Sequence, residues 1–472
     1  VTEPTPLPLL RPRDGSAGDA QIPATSAAEV AEHTCAAEAV FHSGVWSGLD
    51  PRERAAALLR LADLMERDAD HLAALECADA GKPLRECVEN DVPGAIESVR
   101  WFAEAVDKLT GQSFPAGPGV LALTEREPYG VVAAILPWNY PLAMAAWKIA
   151  PALAVGNSLV LKPADTTPRS VLHVEKLALE AGIPTGVLRV LPGTGAEAGE
   201  ALARDPRIGA LSFTGSTRTG RRILTAAAET NLKRVSLEMG GKSPQIIFAD
   251  ALVYGEDLIS QTIESAFLTA GQNCTAGSRI LVHTDIAEEF TRRFVAAASA
   301  LVLGDPEDLD TDIGPVIGGG AATRMLAAVE EARAAGARVL LGGTEVPVVE
   351  GGHYVAPTVL DRVPAEARIL REELFGPIVT IQTFTDEAEA IALANDTPYG
   401  LAASVWSAQI DRAIRVSRAV RAGVVSVNSY SEGDLTSPFG GWGESGFGGV
   451  EKSLRAFEQW TREKAIWVSL HG

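Results

Sequence analysis

Residues 131–137 read VVAAILP, a short and nearly continuous apolar run closed by a proline. Such a run fits a strand buried on both faces, as in a parallel sheet covered by helices. Similar runs follow at 158–163 (SLVLKP), 187–193 (VLRVLPG), 210–215 (ALSFTG) and 245–250 (QIIFAD). Between them lie helical stretches, AMAAWKIAPALAVG at 143–156 and PRSVLHVEKLALEAG at 168–182. Strands alternating with helices imply an α/β fold with a parallel sheet. A second strand-and-helix series runs from about residue 255 to 440 and includes SRILVHT, ARVLLGG, PIVTIQTF and AGVVSVN.

Upstream, Asp50 and Pro51 form a cap and first-turn pair with Glu53 behind them. Leu58, Leu61, Met65, Leu72 and Leu75 recur at helical spacing until Gly81 and Pro83 stop the pattern. Residues 1–25, rich in proline and small polar residues, read as an irregular arm. Residues 120–127 (VLALTERE) alternate, and so does the terminal KAIWVSL at 464–470. That last strand has no evident local partner; it completes either another subunit's sheet or one of its own chain. No internal repeat is found.

A chain of 472 residues exceeds one hydrophobic core, so two or three domains are expected. The net charge of −20 argues against nucleic acid, which requires a positive surface. The 4 cysteines show no CxxC pairing and the 7 histidines no HExxH, so neither a disulfide framework nor a metal site is expected. No run of about 18 apolar residues suggests a membrane span, and VTEPTPLPLLRPRDG lacks a signal-peptide core. A cytoplasmic chain is the expectation.

One literal GxGxxG occurs, Gly441 to Gly446, but it follows SPFG rather than a strand and leads into more glycine. It fails the context of a dinucleotide fingerprint and reads as a packed turn. VLRVLPGTGAEAG and ALSFTGSTRTGRRILTAAA run from strand through glycine into helix, the second carrying Gly215 and Ser216. A helix N-terminus there offers N–H groups and a positive dipole end to a pyrophosphate. Lys162 and Asp165 follow a strand end, where they could hold ribose hydroxyls or form a surface charge pair.

GQNCTAGS at 271–278 sets Cys274 among small polar neighbours with no apolar periodicity. It reads as an accessible nucleophile, the alternative being a small buried hydrophobe. Glu238, in VSLEMGGKSP, ends a strand-like run beside Gly240 and Gly241; it is either a general base or the partner of Lys242. PWNYP at 137–141 holds Asn139 between prolines, as an oxyanion donor or as the cap of the next helix.

PWNYP, GNSLVLKPAD, FTGSTRTG, LEMGGKSP, GQNCTAGSR, EELFGPI, NDTPYGLAASV and SPFGGWGESG, in this order, resemble the NAD(P)-dependent aldehyde dehydrogenase superfamily from about residue 25 onward. The resemblance implies a Rossmann-type cofactor domain (1–105 and 129–240), an α/β catalytic domain (241–442) and a small β oligomerisation element (106–128 and 457–472). It implies Cys274 as nucleophile, Glu238 as base of thioester hydrolysis, Asn139 with the Cys274 N–H as oxyanion hole, and Lys148 near the base. Lys162 and Glu373 would hold ribose hydroxyls, Ser216 the pyrophosphate, and Phe375 would pack by the nicotinamide ribose. Leu136 and Trp138 would line the cofactor cleft; Tyr140, Trp147 and Phe267 would line the aldehyde tunnel. A histidine beside the thiol is then unnecessary if the cationic nicotinamide and backbone N–H groups favour thiolate.

VNSYSEGDLTSPFGG and the ending EKSLRAFEQWTREKAIWVSL look like the γ-glutamyl-γ-aminobutyraldehyde and ω-aminoaldehyde branch of polyamine breakdown. There Glu432 or Asp434 would attract a substrate ammonium, the alternative being two solvated carboxylates. Asp165 replaces the usual glutamate, which leaves NADP open, though a carboxylate repels a 2′-phosphate and favours NAD. GWGESGFGGVE also departs from the usual pattern. The expectation is an NAD-dependent aldehyde dehydrogenase, a homodimer or homotetramer. An NADP-dependent or CoA-acylating relative, or a catalytically silent member with a structural role, are the alternatives.

Overall fold

The computed structural model describes residues 6–7, 9–18 and 21–470; the remaining positions, all in the arm and at the C-terminus, lie outside the described residues. The run at 131–137 forms the strand Val131–Ile135 near the middle of a six-stranded sheet. Its neighbours are Ile208–Gly215 and Arg234–Met239 on one side, Ser158–Lys162 and Leu188–Val190 on the other. These five strands are parallel. Val132 and Ala134 enter one core while Val131, Ala133 and Ile135 enter the other, so both faces are covered and no polar alternation survives. Numbered along the chain, the strands stand in the order 3-2-1-4-5. The order reverses between Val131–Ile135 and Ile208–Gly215, which opens a crevice beyond their carboxyl ends.

A second sheet runs Arg338–Leu341, Thr358–Asp361, Ile378–Phe384, Arg279–His283, Pro244–Ile247, Ala402–Trp406 and Val424–Val427. Only its first pair is antiparallel. The chain passes from Met239 at the end of the first sheet to Pro244 at the start of the second through Gly240–Ser243 alone. Carboxyl ends of one sheet therefore face amino ends of the other.

The terminal strand Thr461–Ser469 pairs within the chain, antiparallel to Val120–Pro128, with Ser113–Phe114 on the far edge. Residues 457–460, expected in that small element, instead close the core of the first unit: Phe457 and Trp460 are fully buried, and Phe457 meets Phe102 edge-on at 5.4 Å. Gly446–Phe447 likewise returns to the first sheet, antiparallel to Arg234–Met239. The described part of the arm is not irregular throughout. Leu7 donates to the Ile22 carbonyl at 2.8 Å, Gly18 to Leu9 at 2.9 Å, and Leu7, Leu9 and Ile22 are buried. The helical pattern after Asp50 divides at Asp68 into Pro51–Arg67 and Ala69–Ala80; the Asp50–Glu53 capping box begins the first and Gly81, at φ 72°, ends the second. Among the described residues no helix is long and apolar enough to cross a membrane.

Truncating Phe457 to alanine should destabilise the first unit by about 3–5 kcal/mol, as for other buried aromatics. Urea denaturation followed by tryptophan fluorescence checks this; an unchanged midpoint would place the segment outside the core.

Candidate active site

The helix Gly255–Phe267 ends just before Thr269, Ala270 and Gly271, which take φ of 52°, 54° and 65°. A left-handed turn costs about 1–2 kcal/mol for each residue bearing a Cβ, so this reversal is held from outside. It returns the chain toward the second sheet, where Gly277 donates to the Ser265 carbonyl at 2.9 Å and the strand at Arg279 begins. Cys274 rides on this return, half-buried against Trp147, Leu401 and Phe439. A Cβ on Gly241 would stand 2.6 Å from the Cys274 carbonyl oxygen, so only glycine permits the approach.

The Asn139 Nδ2 donates to the Gln272 carbonyl at 2.9 Å. An amide has two N–H groups, and the second can serve an oxygen beside the thiol. On the other side, Thr275 donates to Glu432 at 2.5 Å, and the Tyr430 hydroxyl joins Asn273 and Thr275 at 3.0 Å each. Glu432 is thus tied to the residue after the nucleophile. Asp434 instead closes its own exposed turn through Thr436, so the structure brings only one of the two carboxylates to the thiol. Burial, with Glu432, Glu373 and Glu238 nearby, pushes the thiol well above its ordinary range. These three carboxylates oppose the thiolate that the nicotinamide cation and backbone N–H groups together were expected to favour.

Glu238 is buried, and its Oε2 has no hydrogen-bond partner. Burial and the Glu451 charge raise its carboxyl well above the ordinary range, and Lys148 opposes them. Lys148 itself is fully buried and paired with Glu451 at 2.5 Å. Glu451 was not recognised from the sequence; only a glutamate after an apolar residue in a glycine-rich turn marks it. Its neighbour Lys452, also unrecognised, lies 4.9 Å from the Trp147 ring and donates to the Glu432 and Gly433 carbonyls at 3.1 Å.

The crevice at the strand-order reversal collects Leu136 and Trp138, after one strand, and Gly215 and Ser216, at the end of the other. Ser216 caps the helix Thr217–Glu229, whose N-terminus faces that edge. The buried Lys162 ammonium donates to the Pro163 and Gly193 carbonyls at 2.7 and 2.8 Å, which leaves a third N–H for a ribose hydroxyl. Burial lowers its pKa to about 8, and Asp165 opposes that. Thr214 has a buried hydroxyl without a partner in the same strand end. Trp138 and Phe375 meet edge-on at 5.4 Å, and Glu373 accepts from the Gly241 N–H at 3.0 Å with burial raising its pKa to about 7. A helix N-terminus, an ammonium, free acceptors and aromatic walls at a sheet switch point fit a dinucleotide.

Tyr140 bonds Thr269 at 2.9 Å, and Trp147 packs by the thiol. Phe267 does neither. It is 2 % exposed and stacks on Phe294 in the core of the second unit, because it is the last core-facing residue of its helix. The next residue, Leu268, is the half-exposed one.

Residues 3–466 match the model of the aldehyde dehydrogenase family. The chain is 46% identical over 450 residues to aminoacetaldehyde dehydrogenase of Pseudomonas aeruginosa, covering 95% of this chain and 90% of that protein. The solved γ-glutamyl-γ-aminobutyraldehyde dehydrogenase of Burkholderia cenocepacia superposes with a TM-score of 0.96 at 45% identity, over 99% of this chain and 94% of that one. The indole-3-acetaldehyde dehydrogenase AldA of P. syringae, solved with NAD+ and IAA, also superposes at 0.96, with 42% identity over 98% and 93% of the two chains. With its cysteine, glutamate and asparagine gathered where the strand ends of two α/β sheets face each other, the chain belongs to the aldehyde dehydrogenase family.

Proposed function

We propose that the chain oxidises an aldehyde bearing an amino or γ-glutamylamino group to the carboxylic acid with NAD. The convergence of Cys274, Asn139 and Glu238, with Glu432 tied beside the thiol, carries this reading. The Cys274 sulfur adds to the aldehyde carbon, and the Asn139 amide with the Cys274 N–H holds the oxygen as it becomes anionic. NAD, when bound, supplies a hydride acceptor, and the hydride lost from that carbon leaves a thioester on Cys274. Glu238 takes a proton from water as the water attacks the thioester, and the acid departs with the sulfur released. Lys148 and Glu451 stand behind Glu238 to pass that proton on. Lys162, Ser216, Glu373 and Phe375 hold the dinucleotide, and the Asp165 carboxylate disfavours a 2′-phosphate.

The amino class of substrate draws support from the Glu432 carboxylate and from the names of the Pseudomonas and Burkholderia relatives. The indole-3-acetaldehyde enzyme has the same fold, so the fold does not choose the substrate. A homodimer or homotetramer is proposed from the small sheet, whose Leu121, Trp467 and Leu470 stand exposed, Trp467 at 69%.

NADH should form from an aminoaldehyde without coenzyme A, and Cys274→Ala should abolish it. Glu238→Gln should keep a single burst of NADH while steady turnover falls about 10²–10⁴-fold; loss of the burst would remove Glu238 from the hydrolysis step alone. Because Glu238 is raised, its base form and the hydrolysis limb should grow toward alkaline pH. Since Lys148 lowers the Glu238 pKa, Lys148→Met should move that limb further up.

Glu432→Gln should raise KM for aminoaldehydes about tenfold, the loss of one charged contact, and leave KM for neutral aliphatic aldehydes unchanged. It should also shift Cys274 alkylation to lower pH, because the carboxylate that raises the thiol is gone. Equal KM changes for both substrates would overturn the ammonium reading. Trp467→Glu should lower the molecular mass in solution, read by light scattering; an unaltered mass would free that face from the interface.

A further inference from the structure

Behind the oxyanion donor lies a buried polar cluster that the proposed chemistry does not use. Lys82, Glu86 and Asp91 are 1, 7 and 5% exposed. Gly81 stops the preceding helix, and a π-helical turn at Cys87–Asp91 brings Asp91 back toward Lys82. The Lys82 ammonium lies 2.5 Å from Asp91, 3.3 Å from Glu86 and 3.6 Å from the centre of the Tyr140 ring. A cation over an aromatic face is a favourable contact, more so when desolvated.

The cluster continues to the reversal before the nucleophile. Thr269 donates its hydroxyl proton to Glu86. A hydroxyl has one proton, so the bond between Tyr140 and Thr269, 2.9 Å long, is donated by the tyrosine. Two uncommon backbone features meet here: the π-turn at 87–91 and the left-handed turn at 269–271. Buried charge and strained backbone are each costly, and both persist where surrounding contacts over-determine them.

Both ends of the chain of contacts lead to one bond. Tyr140 is the residue after Asn139. Thr269 begins the turn that delivers Gln272, whose N–H donates to the Thr269 carbonyl at 3.0 Å and whose own carbonyl receives the Asn139 amide at 2.9 Å. We infer that Lys82, Glu86 and the Thr269 hydroxyl are positioning residues that fix the oxyanion hole, holding Asn139 through Tyr140 and the Gln272 carbonyl through the left-handed turn. This rests on Asn139 being the oxyanion donor. Lys82, Glu86 and the Thr269 hydroxyl act through Tyr140 and the turn, and their effect is on where the amide sits; a displacement of about 1 Å at a reacting centre can cost 100-fold.

The test compares two reactions of Cys274 in the full-length protein. Acylation by p-nitrophenyl acetate passes through an oxyanion, whereas alkylation by iodoacetamide does not. Thr269→Val and Tyr140→Phe should slow acylation and aldehyde turnover about 10- to 100-fold and leave alkylation unchanged. Thr269→Ser, which keeps the hydroxyl, should restore acylation to near the native rate. Asn139→Ala serves as the reference and should slow acylation about 10²–10³-fold. If Asn139→Ala is slow but Tyr140→Phe and Thr269→Val acylate at the native rate, the network is not positioning anything. If they slow alkylation equally, the effect is general damage and the inference is overturned. If Asn139→Ala itself acylates normally, the oxyanion assignment fails first, and the two failures are told apart.

Discussion

The site depends on a close passage of backbone at Gly240–Gly241. Here the chain steps from the last parallel strand of one sheet to the first strand of the other, and the space a side chain would take is filled. The Glu373 carboxylate lies over Gly240, and the carbonyl of the nucleophile lies over Gly241. A Cβ at Gly240 would displace the Glu373 carboxylate, and one at Gly241 would push the Cys274 backbone away. Because the link is so short, Glu238 at the end of one strand and Cys274 just before the start of another lie close to the crevice at the strand-order reversal.

Charge is the second organising fact. Glu238, Glu373 and Glu432 lie around one sulfur, while the buried cations Lys148, Lys162 and Lys452 are engaged with Glu451 and with carbonyls. Such a field disfavours both a thiolate and a second carboxylate. A cationic nicotinamide, or a substrate ammonium, would relieve the field at the moment of need, so binding and ionisation are coupled by electrostatics alone.

The parallel sheets were legible because strands covered on both faces leave uninterrupted apolar runs, as at 131–137. The glycines and prolines beside Cys274, Asn139 and Glu238 were legible as marks of close backbone passage, while the chemical roles of the three rest on the proposed function. Phe267 was not, since the exact end of a helix decides which of two adjacent residues enters the core, and composition is silent on that. Glu451 was hidden in a glycine-rich turn without period, where only the fold reveals that a lysine three hundred positions earlier awaits it. The partner of the terminal strand was equally unreadable, because register over such separation is set by tertiary closure rather than by local pattern. The fate of the SEGD carboxylates turned on loop conformation: one bends to Thr275, the other to its own turn.

The return of the chain to the first unit has a consequence for biosynthesis. Gly446–Phe447 extends the first sheet, and Phe457 and Trp460 seal its core. Synthesis proceeds from the other end, so the first unit emerges early yet lacks these pieces until residue 460 has been made. During that interval its apolar floor around Phe102 stays uncovered, a surface for chaperones or for misassembly. The first unit therefore folds less like a bead released in sequence than like a clasp, which shuts only when residues 446–460 come round.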